Sequence, residues 1–176
     1  YTPENLAFAR KVAQECQVLL KNEGVLPLRK GAKVAVVGPL AADASSMAGT
    51  WSQSNHNAES VTLWQGISEV TPTTFAEGSW LLRDAAIEDG VRYGLIRMFA
   101  PGTPIPPVHA RPQAALVAEA VAQARRADAV VACVGEIPGM NGEGASRTDI
   151  TLPDTQVEML KALKATGKPL VVHMHA

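Results

Sequence analysis

The sequence predicts an α/β fold, a three-layer sandwich around a mostly parallel sheet, and three observations lead there. Short β-branched runs that are apolar on both faces recur as "KVAVVGPLA" at 33–41, "ADAVVACVGE" at 127–136 and "LVVHMHA" at 170–176. Such runs suit strands buried between two layers. Helical patterns alternate with them, and alternation of this kind gives a parallel sheet with helices on its faces. Finally, 176 residues with 47% apolar and 19% charged positions can bury one core.

Taken in order, Leu6, Ala9, Val12, Ala13 and Cys16 recur at helical spacing after Pro3, so a helix opens the chain. Residues 18–28, "VLLKNEGVLPL", place two apolar runs around Asn22-Glu23-Gly24 and are expected to form a β-hairpin. The run at 33–41, closed by Gly38-Pro39, is expected to be the first central strand. A polar stretch of unusual length, 42–60, precedes a short helix in "VTLWQGISEV" and a shorter strand in "TTFAEG". From about 85 to 111 the prolines of "APGTPIPPVHARP" argue for an extended surface segment. Pro112 starts a helix with Val117, Val121 and Ala124 on one face, and the third strand follows. "PDTQVEMLKALKATGKP" reads as a helix with Pro153 in its first turn and Gly167 at its end. "LVVHMHA" opens a fourth strand. A central strand with no helix after it leaves a sheet face uncovered, so residues 1–176 are expected to be a partial sandwich domain, incomplete at the C-terminus and part of a larger polypeptide.

Several function classes are excluded or disfavoured. Net charge is -1 with scattered basic residues, which gives no footprint for nucleic acid or an anionic membrane. The apolar runs are too short to cross a bilayer, and the first residues do not read as a signal peptide. Cys16 and Cys133 are expected to be separate buried thiols. "VGPLA" lacks the further glycines of a dinucleotide fingerprint. His173 and His175 share a strand face, but no third ligand has metal-site spacing, so no metal and no cofactor are expected. These imidazoles are expected to hydrogen-bond to groups outside the chain.

Ligands of open α/β sheets sit at the carboxyl ends of strands. Two loops qualify: the one after Val37, with Trp51, and the one after Val134, "GEIPGMNGEGASRTD", with Glu136 and Glu143. Glycines let the second loop approach a ligand closely. A carboxylate desolvated there against a ligand or a second domain has a raised pKa and becomes a general acid. The same residues also fit a solvated acidic loop with a surface Arg147/Asp149 pair, and Trp51 fits a core plug as well as a sugar platform.

"ECQVLLKNEGVLPL", "KVAVVGPLA", "GTWS", "SVTLWQGI", "VGEIPGMNGEGASRTDITLPDTQ" and "LKALKATGKPLVV" together resemble the second, α/β sandwich domain of glycoside hydrolase family 3, of the bacterial periplasmic β-glucosidase type. The likeness runs over about 3–172 and is weakest at 85–108. It implies a retaining β-glycosidase in which a barrel domain supplies the aspartate nucleophile. Glu143 then takes the place of the general acid/base, with Glu136 the competing candidate and more a loop anchor. Retention needs two carboxyl groups about 5 to 5.5 Å apart, so the second must come from another domain. Trp51 is expected to form an aromatic wall, with Ser146 and Arg147 nearby in substrate binding or loop support. The resemblance further implies a β-linked oligosaccharide or aryl glucoside as substrate, with xylose the rival to glucose, and a periplasmic or secreted location. The departures are the absent barrel and fibronectin-like domains and "HMHA" in place of an Asn-Gly-Arg-Pro turn. A non-catalytic carbohydrate-binding or interaction module, or a nucleotide-binding α/β domain, is the alternative.

Overall fold

The computed structural model describes residues 2–52 and 59–175. Among these, four parallel strands form one sheet in the order β2-β1-β3-β4, with β1 at Val34–Val37, β2 at Thr73–Ala76, β3 at Ala129–Gly135 and β4 at Leu170–His175. β1 and β3 are buried along their whole length, as their uninterrupted apolar runs require. The register pairs Val34 with Thr73 and Ala129, and Val130 with Leu170.

Five helices accompany the strands: α1 Pro3–Glu15, α2 Leu63–Ser68, α3 Ala85–Phe99, α4 Gln113–Arg126 and α5 Asp154–Lys164. Two cores make the three layers. On one face Ala35, Val37, Val130, Ala132 and Val134 meet Ala120, Ala124, Met159 and Leu163 of α4 and α5. On the other, Val34, Val36, Val131 and Cys133 meet Leu63, Trp64 and Ile67 of α2 and Val91 of α3. Small alanines on α4 let that helix lie close to the sheet. Its inward face is Gln113, Leu116, Ala120 and Ala124, about one position away from the face expected from Val117 and Val121.

Four sequence expectations change. Residues 18–28 form no strand pair. The Asn22 side-chain oxygen instead accepts the N–H groups of Gly24, Val25 and Leu26, and its amide donates to the Leu26 carbonyl, so the turn is closed locally rather than by a ladder. Val18, Leu19 and Leu20 are left exposed, Leu20 at 81%. Residues 85–99 are helical. Asp84 caps α3 by accepting from the N–H groups of Ala86 and Ile87, and the helix ends at Phe99, with Ala100 as its C-cap directly before Pro101, as proline favours. Of the two cysteines, Cys133 is buried and Cys16 is exposed at the end of α1, because α1 buries none of its residues against the rest of the described chain. Lastly, His175 finds its partner within the chain, the Ser46 carbonyl at 2.9 Å.

The carboxyl end of β3 is fastened by a buried amide. Gln156, 0% exposed, accepts from the Gly135 N–H at 2.8 Å and donates to the Gly135 carbonyl at 2.9 Å and the Leu81 carbonyl at 3.2 Å. Thr155 also donates to Leu81, and Gln113 bridges the Thr155 carbonyl and the Trp80 N–H. A Cβ at Gly135, whose φ is +133°, would lie 1.8 Å from the His175 carbonyl oxygen. Replacing Gln156 by leucine keeps the volume but strands a buried N–H and a buried carbonyl of Gly135. Gln156→Leu is therefore expected to cost about 3 kcal/mol of folding free energy, read as a lower urea midpoint with unchanged m-value.

Candidate functional site

The strand order decides where a site forms. From β1 the chain passes through α2 to β2 on one side, then crosses through α3 and α4 to β3 on the other. Such a reversal opens a crevice at the carboxyl ends of the two strands between which it falls, here β1 and β3. The loop after β1 carries Trp51, and the loop after β3 carries Glu143.

These loops are bonded to each other. The Thr50 hydroxyl lies 2.8 Å from the Pro138 carbonyl and 2.5 Å from the Asn141 side-chain oxygen, 88 and 91 residues away in sequence. A Cβ at Gly142, whose φ is +97°, would lie 2.2 Å from the Thr50 methyl carbon, so only glycine permits this approach. Below, the 3-10 turn Pro138–Met140 rests on α3, where a Cβ at Gly139 would lie 2.0 Å from the Val91 carbonyl oxygen.

Within the loop, Glu136 is the hub. Its carboxylate accepts from Arg147 and, at 3.3 Å, from the Asn141 amide. Arg147 also donates to the Thr151 carbonyl at 2.9 Å, so it closes the loop on itself. Glu143 is on the opposite footing: it is exposed between two positive-φ glycines, and among the described residues neither a hydrogen bond nor an ion pair engages its carboxylate. Arg147 is thus spent on Glu136 and leaves Glu143 free. Ser146 and Arg147 line a shallow open pocket with Glu136, Asn141 and Ile150. Trp51 is 71% exposed, which rules out the core-plug reading. Trp64 and Trp80 are built into the domain, Trp64 stacked on Phe75 and Trp80 stacked on His109.

Sequence reasoning missed the polar supports. Asp43 accepts from the Ser45 N–H and the Ser45 and Ser46 hydroxyls, and pairs with Arg92 at 3.3 Å. Arg92 also pairs with buried Glu88, which in turn meets His109. Burial works to raise the Asp43 carboxyl, but the two serines and Arg92 outweigh it and hold it below the usual aspartate range. Gly38, which might have suggested a phosphate loop, is glycine for another reason: its Cβ would lie 2.0 Å from the Cys133 carbonyl oxygen. Burial, reinforced by the Asp43 charge, pushes the Cys133 thiol up to about 12, so it is no nucleophile. His173 pairs in register with Cys133. Among the described residues no group of three His, Cys, Asp or Glu side chains is placed to hold a metal.

Fold and site together define an α/β domain in which, among the described residues, an unengaged carboxylate and an exposed indole are carried on two loops joined through Thr50. The profile described as Glycosyl hydrolase family 3 C-terminal domain matches residues 17–176. The periplasmic beta-glucosidase of Salmonella typhimurium is 41% identical over 169 residues, 93% of this chain and 21% of that protein. A probable exo-1,4-beta-xylosidase of Aspergillus flavus is 30% identical over 98% of this chain and 18% of its own length. Among solved structures, the beta-glucosidase of Listeria innocua in complex with isofagomine superposes with a TM-score of 0.75 at 25% identity, over 98% of this chain and 20% of that one. A beta-glucosidase involved in saponin metabolism from intestinal bacteria gives 0.74 at 29%, over 98% and 25%. The chain belongs to the glycosyl hydrolase family 3 C-terminal domain family, and it spans about a fifth of the length of the curated relatives it matches.

Burial, then the neighbouring His175, holds the His173 imidazole below its ordinary value of 6.5. The unfolded chain therefore takes this proton first, so stability is intact above that value and falls as the pH drops below it. An NMR titration is expected to place His173 below 6.5. The urea midpoint should fall between about pH 7 and pH 5, with a smaller fall in His173→Gln.

Proposed function

We propose that this chain is the second domain of a retaining β-glucosidase that releases terminal, non-reducing β-D-glucosyl residues, with Glu143 as its general acid/base. The observation that carries this is a carboxylate that no hydrogen bond or ion pair engages among the described residues, on a loop that Thr50 ties to the segment bearing the exposed Trp51. An acid catalyst needs a pKa near working pH, and desolvation of a carboxylate by a covering domain is one way to supply it. A barrel domain seated over the crevice would exclude water from Glu143 and bring the aspartate that attacks the anomeric carbon. In the first step Glu143 gives its proton to the leaving oxygen as the aspartate forms the glycosyl ester. In the second it takes a proton from the water that cleaves that ester, which regenerates both groups.

Trp51 stacks against the leaving-group sugar or aryl ring in this assignment, while Ser146 and Arg147 form the rim. The names of the relatives support a β-linked glucoside or xyloside as substrate, and that of the Salmonella protein supports a periplasmic location. The exposed Trp51 would equally serve a carbohydrate-binding module, and titration separates the two. A binding module changes its tryptophan fluorescence with cellobiose as an isolated chain, whereas half of a catalytic site does not.

Alone, the chain is expected not to hydrolyse aryl β-glucosides. In the complete enzyme with its barrel, Glu143→Ala should lower turnover of an activated aryl glucoside by about 10²-fold or more. Azide should restore turnover, because an anionic nucleophile needs no base, with glucosyl azide as the product. Hydrolysis by the isolated chain, or absence of azide rescue, would overturn the assignment.

A further inference from the structure

Among the described residues no hydrogen bond or ion pair fixes the Glu143 side chain, so its position is set by whatever fixes the loop on either side. The glycines flanking it, Gly142 and Gly144 with φ of +97° and +74°, transmit little restraint. Downstream, the anchor is Arg147, held by Glu136 and Thr151. Upstream it is Asn141, which donates to the same Glu136. Both of these anchors are internal to the loop, so they give it a shape without giving it a place.

Ile137 and Met140 root the loop in the core, and two further contacts give its outer part a place. One is the packing of Gly139 on the backbone of α3, which supports the loop from beneath. The other is Thr50. Its single hydroxyl proton faces three acceptors, the Pro138 carbonyl, the Asn141 side-chain oxygen and, at 3.5 Å, the Asn141 carbonyl. Its methyl lies over Gly142, where no Cβ could fit. Thr50 therefore holds the stretch 138–142, whose last residue precedes Glu143. It does so from the residue just before Trp51, so the aromatic wall and the acid loop share one fixed point.

We propose that Thr50 is a positioning residue for proton transfer: its side chain sets where Glu143 stands relative to the leaving oxygen and couples that position to Trp51. The proposal rests on the acid/base reading of Glu143. A proton donor displaced by about 1 Å can lose on the order of 10²-fold in rate, and the loss appears only where the leaving group needs the proton. Thr50 thus acts through Glu143 and not on the substrate.

In the complete enzyme, kcat/KM is measured for methyl β-D-glucoside, whose leaving group needs protonation, and for 2,4-dinitrophenyl β-D-glucoside, whose leaving group does not. Thr50→Val is expected to lose about 10-fold or more on the first and less than about 3-fold on the second, a smaller version of the asymmetry expected for Glu143→Gln. Thr50→Ser, which keeps the hydroxyl, should recover most of the loss. Gly142→Ala, which pushes the loop off Thr50, should reproduce it. Hydrogen exchange on the isolated chain reads the same effect without catalysis: amides of 141–147 should exchange faster in Thr50→Val and as wild type in Thr50→Ser. An equal loss on both substrates, or none, with Glu143→Gln still selective, would overturn the role of Thr50 and leave the acid assignment standing. Loss of selectivity in Glu143→Gln itself would sink the acid assignment, and this proposal with it.

Discussion

The side-chain amide of Gln156 is the contact on which the architecture of the crevice depends. β3 must leave the sheet at Gly135 for its loop to cross toward β1, and there its backbone has only part of a ladder. Gln156 takes both the N–H and the carbonyl of Gly135, and its second amide proton goes to Leu81. One side chain on α5 thereby completes the end of β3 and ties it to the segment after β2. All of its polar atoms are used, which is the condition under which a fully buried amide stabilises. Gln113 and Thr155 extend the same solution to α4 and Trp80.

Above this floor the polar groups are disposed in two ways. Asp43, Arg92 and Glu88 form a chain of charges shielded from water, which the His109 imidazole continues by a hydrogen bond. Burying ions is costly unless each is paired and hydrogen-bonded, and here each has at least two partners, with His109 also reaching the Leu82 carbonyl. Glu143 lies at the other extreme, unpaired and in water. The guanidinium of Arg147 pairs with Glu136 instead.

Much of this was legible in the chain itself. The runs at 33–41 and 127–136 became β1 and β3 because an uninterrupted apolar strand is stable between two layers, while 170–176 supplied β4, a half-exposed edge strand of the described sheet. α3 escaped notice because Gly90 and Gly94 weaken its helical pattern and a proline cluster follows directly. The hairpin expected at 18–28 rested on Asn22 and Gly24, yet Asn22 serves a local turn there and no partner strand is needed. In the site, glycine spacing pointed to the loop and the block "GEGASR" to Glu143. Thr50 was in view within "GTWS" but nothing in that string marks it, since its partners lie 88 and 91 residues on.

By itself, then, the sequence determined the layer type, the four strands and the family to which the domain belongs, because periodicity and motif are local properties of a chain. Only the tertiary structure decided which partners hold Glu136 as the anchor that the sequence suggested, which helix supports the loop, and that Thr50 joins the two sides of the crevice. Those are choices among competing hydrogen-bond partners. A partner is chosen by distance in space, which strand order and the close approaches at Gly135, Gly139 and Gly142 create and which no spacing along the chain encodes.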